Sequence, residues 1–168
     1  MRIVGADGAA GTVRDCTMTD ASKHLARALF VEDSAAEIRL ITELLNRAHV
    51  QFDGHWVVNG EDALHFLHKD TGFEAAPRPD IIFLDLGLPR VNGEGVLSRI
   101  RGDTALADIP VVILSGSDFE DDVINAREQG VAHYLVKPLN FEKLQEVVAR
   151  VASLSLDHEG DDVLLCAA

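Results

Sequence analysis

Ile81-Ile82-Phe83-Leu84-Asp85-Leu86-Gly87-Leu88-Pro89 decides the fold. Four β-favouring apolar residues run without a polar break, an acid ends the run, and a turn containing Gly and Pro follows. Such a run suits a strand covered on both faces, as in a parallel sheet. Working outward, the same grammar recurs. Ala28-Leu29-Phe30-Val31 precedes it, then His55-Trp56-Val57-Val58, and after it come Val111-Val112-Ile113-Leu114 and Tyr134-Leu135-Val136. Between them lie segments of helical period. Ile38, Ile41, Leu45 and Ala48 share one face in the first, and Phe141, Leu144, Val148 and Val151 share one in the last. Ser34 with Glu37 and Ser117 with Glu120 have capping-box spacing, and Gly102 and Gly130 stand where the third and fourth helices should stop. Five strands alternating with five helices predict a doubly wound α/β sheet, whose right-handed crossovers place helices on both faces.

Charge sorts the 168 residues into three parts. Residues 1–26 show no steady apolar period, and residues 155–168 carry Asp157, Glu159, Asp161 and Asp162 with no Lys or Arg. Both read as loose extensions flanking a domain at 27–154, the second as an acidic tail. Lys and Arg total 15 against 28 Asp and Glu, a formal charge of −13. That excludes non-specific binding of nucleic acid and disfavours an electrostatic membrane-surface role. No apolar run has the length of a spanning helix, residues 1–10 lack a signal-peptide core, and a cytoplasmic protein is expected. Cys16 and Cys166 suggest neither a disulfide framework nor a metal site.

In doubly wound sheets, ligands bind at the carboxyl ends of the strands. The chemically loaded residues fall there: Glu32-Asp33-Ser34 after the first strand, Asp85 at the end of the third, Ser115-Gly116-Ser117 after the fourth, and Lys137-Pro138 after the fifth. Three carboxylates at one rim repel one another unless a cation joins them, and open carboxylate sets completed by water are how Mg²⁺ binds. Lys137 adds a fixed positive charge and Ser115 a hydroxyl donor. A divalent ion, an ammonium and a hydroxyl around one carboxylate suit phosphoryl transfer, with Asp85 as nucleophile.

Phe30-Val31-Glu32-Asp33-Ser34, Asp85-Leu86-Gly87-Leu88-Pro89 running on to Gly93, Ser115-Gly116, and Tyr134-Leu135-Val136-Lys137-Pro138 together resemble the receiver domain of bacterial two-component response regulators. The loop from Thr71 to Pro79 is similar to that of single-domain members paired with phytochrome-type histidine kinases. The resemblance implies a flavodoxin-like (βα)5 fold with a five-stranded parallel sheet in the order 2-1-3-4-5. It implies that Asp85 accepts phosphate from a kinase phosphohistidine in a phosphorelay. Glu32, Asp33, Asp85 and the backbone carbonyl of Gly87 would hold Mg²⁺. Ser115, Gly116 and Lys137 would bind the phosphoryl group, Ser115 and Tyr134 would form the switch, and Pro138 would follow a cis peptide. It further implies output by protein contact, with a homodimer through the fourth helix, fifth strand and fifth helix, and no nucleic-acid or membrane partner. The chain would then be a signalling phosphoacceptor, with self-catalysed phosphotransfer and slow autodephosphorylation only.

Two other functions compete. An aspartyl-phosphate phosphohydrolase wants a second acid two residues after the nucleophile, where Gly87 stands. A pseudo-receiver would bind partners without phosphorylation, yet every reactive position is filled. Elsewhere the plain readings prevail. His65 and His68 make a solvated helix face rather than a metal pair, His55 and Trp56 make a partly covered sheet edge, and Asp118, Glu120, Asp121 and Asp122 complement a helix dipole.

Overall fold

The computed structural model describes residues 3–5, 23–116 and 130–168. Among the described residues ten strands and four helices follow one another. The strands are β1 (Ile3–Gly5), β2 (His24–Leu25), β3 (Arg27–Val31), β4 (Val50–Gln51), β5 (Asp53–Val57), β6 (Ile81–Asp85), β7 (Val111–Ser115), β8 (His133–Val136), β9 (Leu154–Glu159) and β10 (Asp162–Ala167). The helices are α1 (Ala35–Arg47), α2 (Gly60–His68), α3 (Gly93–Gly102) and a C-terminal helix, Phe141–Val148. The Ser117–Glu120 capping box and the expected fourth helix lie outside the described residues.

The main sheet runs β1-β5-β3-β6-β7-β8, with every pairing parallel. Its last five strands keep the expected 2-1-3-4-5 order, and β1 adds a sixth at the β5 edge. The central strands are apolar because both faces are covered. Phe30 and Phe83 stack at 4.9 Å between centroids in one core, with Ile38, Ile41, Leu45, Leu144 and Val147 over them. Leu29, Val31, Ile82, Leu84 and Ile113 face a second core with Leu64, Leu67, Val96, Leu97 and Ile100 from α2 and α3. Alternate residues of each strand thus feed opposite layers.

The C-terminal segment does not fray. β9 and β10 form an antiparallel hairpin closed by Gly160-Asp161, with Gly160 at φ +61°, a conformation that favours glycine at the first turn position. β10 then pairs with β4 in parallel and β2 antiparallel, making a second, smaller sheet. Val163, Leu165 and Ala167 enter the first core, while Leu164 and Cys166 pack with Leu25. The acidic residues that suggested a loose tail are clustered at the turn and on the partly exposed β9, and the apolar run behind them is buried. Cys166 is disulfide-bonded rather than free, another departure from the sequence reading.

Candidate functional site

Four strand ends build the site. Val31 pairs with Leu84, so Glu32 leaves β3 beside Asp85, the last residue of β6. Asp85 pairs with Leu114, and Ser115 with Val136, so Ser115 and Lys137 continue the same rim. A backbone hydrogen bond of 2.7 Å from the Lys137 amide to the Ser115 carbonyl joins the last two. The expected convergence of the loaded residues is therefore present.

Ligand oxygens of Glu32, Asp33 and Asp85 lie within 4.8 Å of one another. Their exposures differ: the Glu32 side chain is 3% exposed, that of Asp85 13%, and Asp33 is open to solvent. Lys137 Nζ bridges the two covered carboxylates, donating to Glu32 Oε2 at 2.5 Å and to Asp85 Oδ2 at 3.1 Å. Burial raises the Glu32 carboxyl above its ordinary range, and this exceeds the opposing pull of Lys137 and of the Ser34 amide. Burial acts to lower the Lys137 ammonium, but the hydrogen bonds to Glu32 and Asp85 outweigh it and hold the group above its usual value. Lys137 is therefore a fixed cation at neutral pH. Asp33, on the open side, leaves the three-carboxylate set accessible. Oxygen donors gathered in this way fit a hard divalent cation that keeps several waters.

Neighbouring backbone shapes the rest. The Gly87 amide donates to Asp85 Oδ1 at 3.0 Å. A Cβ at position 87 would stand 3.7 Å from both Asp85 carboxylate oxygens, so glycine leaves that approach clear. Gly93 is required for closeness, because a Cβ there would meet the Asp85 carbonyl at 2.3 Å. Ser115 is buried and Gly116 exposed beyond it. Tyr134, paired with Ile113, is partly buried against the second core. The Lys137-Pro138 peptide is cis, as expected.

One capping prediction is half met. Ser34 Oγ accepts from the Glu37 amide at 3.3 Å, but the Ser34 amide donates to Glu32 Oε1 at 3.1 Å instead of to Glu37. The acid pocket has taken the second arm of the box. The sequence places Trp56 on a sheet edge, but β1 pairs along that side of β5, and the Trp56 Nε1 donates to the Glu32 carbonyl at 2.7 Å. His65 and His68 do not share a ligand position; His65 pairs with Asp70, and His68 with Asp103 and the Leu64 carbonyl.

Residues 28–149 match the family described as the response regulator receiver domain. The chain is 38% identical over 140 residues to the response regulator Rcp1 of Synechocystis, covering 83% of this chain and 95% of that protein. A solved structure of the Mn²⁺-bound form of Rcp1 superposes with a TM-score of 0.63 at 39% identity, covering 73% of this chain and 88% of that one. The phosphorylated cyanobacterial phytochrome response regulator RcpA gives a TM-score of 0.63 at 39% identity, covering 73% and 89%.

Proposed function

The chain belongs to the response regulator receiver domain family, and from that premise we propose that it takes a phosphoryl group from a histidine kinase onto Asp85. The observation that carries the reading is the Lys137 ammonium on Asp85 Oδ2, beside a three-carboxylate corner that has one open member. Asp85 is partly exposed at the tip of a rigid strand, so a phosphohistidine can reach it. Its carboxylate oxygen attacks phosphorus, the O–P bond forms, and the N–P bond breaks with its electrons returning to the imidazole.

Lys137 stays protonated throughout. Its charge, held against Glu32, is available to the phosphoryl oxygens as negative charge accumulates beside Asp85. Ser115 stands on the adjacent strand end, where its hydroxyl can donate to the same group. Glu32, Asp33, Asp85 and the Gly87 carbonyl would hold Mg²⁺, which when bound neutralises the oxygens of the entering phosphoryl group. Addition of nearly two negative charges then draws Ser115 toward the phosphate, and the Tyr134 side chain moves inward in response, which is the switch.

Output follows by protein contact in the cytoplasm, including a homodimer through the segment after β7 that the sequence predicts as a fourth helix, β8 and the C-terminal helix. Similarity to a phytochrome response regulator supports a phytochrome-type kinase as the donor. The protein incubated with Mg²⁺ and a small phosphodonor should gain one acid-stable, base-labile phosphoryl group. An unmodified wild type, or modification that survives Asp85→Ala, would refute the proposal.

A further inference from the structure

Lys137 is useful as a point charge only if its loop holds still; its own amide on the Ser115 carbonyl and the buried Leu139 fix part of that loop, and the carbonyls on either side of Lys137 offer two further anchor points. Among the described residues β8 is the terminal strand of the main sheet, paired on the β7 side alone. Pro138 offers no N–H to anchor the turn. The carbonyls of Val136 and Pro138, which flank Lys137 in the chain, both receive hydrogen bonds from one side chain: Lys143 Nζ donates to the Val136 oxygen and, at 3.0 Å, to the Pro138 oxygen.

Lys143 starts from a fixed base. The C-terminal helix that carries it buries Leu144 and Val147 in the first core. Asn140 caps that helix, its side chain accepting from the Lys143 amide at 3.0 Å. The ammonium is thus delivered from a packed helix to two carbonyls that bracket the site lysine. Charge-assisted bonds of this kind are stronger and more directional than neutral ones.

We propose that Lys143 is the positioning residue for Lys137, its ammonium tying the carbonyls on either side of that residue to the C-terminal helix so that Lys137 Nζ is aimed at Glu32 and Asp85. The consequence for phosphoryl acceptance rests on the function proposed above, but the positioning itself does not.

Trace labelling with acetic anhydride in metal-free buffer, quantified on the peptide that contains Lys137, reads the positioning directly. Amines acylate only when free and deprotonated, so a Lys137 held between two carboxylates is protected. Lys143→Met should raise labelling of Lys137 by about three- to ten-fold, the scale of losing charge-assisted bonds. Lys69→Met, at the C-terminus of α2, should leave it unchanged, and Lys143→Arg should restore most of the protection, since a guanidinium can also span two carbonyls. Unchanged labelling in Lys143→Met, or Lys143→Arg behaving as Lys143→Met does, would overturn the proposal. Should circular dichroism show Lys143→Met unfolded, Lys143→Arg compared with Lys143→Gln makes the same decision. A parallel assay with acetyl phosphate at saturating Mg²⁺ should show slower phosphorylation in Lys143→Met, with Mg²⁺ half-saturation little altered. A wild type that refuses phosphate would sink the function and leave the labelling result standing.

Discussion

Replacing Lys137 by Met removes the cation between two covered carboxylates and keeps most of the side-chain volume. In the wild type, the Lys137 side chain is 15% exposed, Glu32 3% and Asp85 13%, so water can replace little of the lost charge. Removing one partner of a buried pair costs about 3–5 kcal/mol, and the partial access of water to Asp85 places this case near about 3 kcal/mol. For a chain of this length, that is a fall in Tm of about 6–12 °C. The deficit has a defined pH dependence. Glu32 already has a raised pKa in the folded protein, and loss of Lys137 raises it further. A carboxyl with a raised folded pKa favours the folded state below its unfolded pKa and loses that contribution as pH rises through the folded value. The gap between variant and wild type should therefore be widest near neutral pH and narrow on mild acidification, as Glu32 protonates. Urea unfolding in EDTA at both pH values measures it. Equal stability at neutral pH, or a gap that widens in acid, would refute this account of the charge balance.

Gly87→Met should extend the life of the phosphorylated state by roughly three-fold or more, because its side chain would stand over the Asp85 oxygens and hinder water; decay followed by phosphoprotein gel checks this. Leu165→Ala should cost about 3 kcal/mol in urea unfolding, the usual penalty for truncating a buried Leu; no change would mean that the hairpin is not part of the core. Asp53 is held below its ordinary 3.8 by the His55 ring, whose Nε2 lies 3.3 Å from Asp53 Oδ1. Its stabilising contribution is then fully present above the unfolded value and is lost as pH falls through the lower folded one. Asp53→Asn should accordingly be less stable than wild type at pH values above that range, with the difference shrinking in acid unfolding curves.

The main sheet and its rim could be read from sequence because both depend on local signals. Long apolar strands ending in polar residues report burial on two faces, and the strand ends place Glu32, Asp85, Ser115 and Lys137 together before any contact is known. The β9–β10 hairpin was obscured by its acids. Asp157, Glu159, Asp161 and Asp162 dominate the charge of that segment, yet Gly160-Asp161, between the alternating Leu154-Ser155-Leu156-Asp157 and the apolar Val163-Leu164-Leu165, is a turn signal. β4, only two residues long, carries no period. Its pairing with β10 is set by a contact more than a hundred residues away in the chain. Trp56 and Lys143 escaped for another reason: each acts on a backbone carbonyl of a site residue or its neighbour, and carbonyls leave no mark in a sequence. The Ser34–Glu37 pair shows the converse, a correct local motif with one arm redirected by the Glu32 carboxylate.

The central claim is tested most directly by locating the phosphoryl group. Wild-type protein treated with a phosphodonor and Mg²⁺, reduced with borohydride and digested, should yield homoserine in place of aspartate at residue 85 alone, and none when EDTA replaces the metal. Homoserine at another acid, or the same yield without divalent cation, would contradict the account.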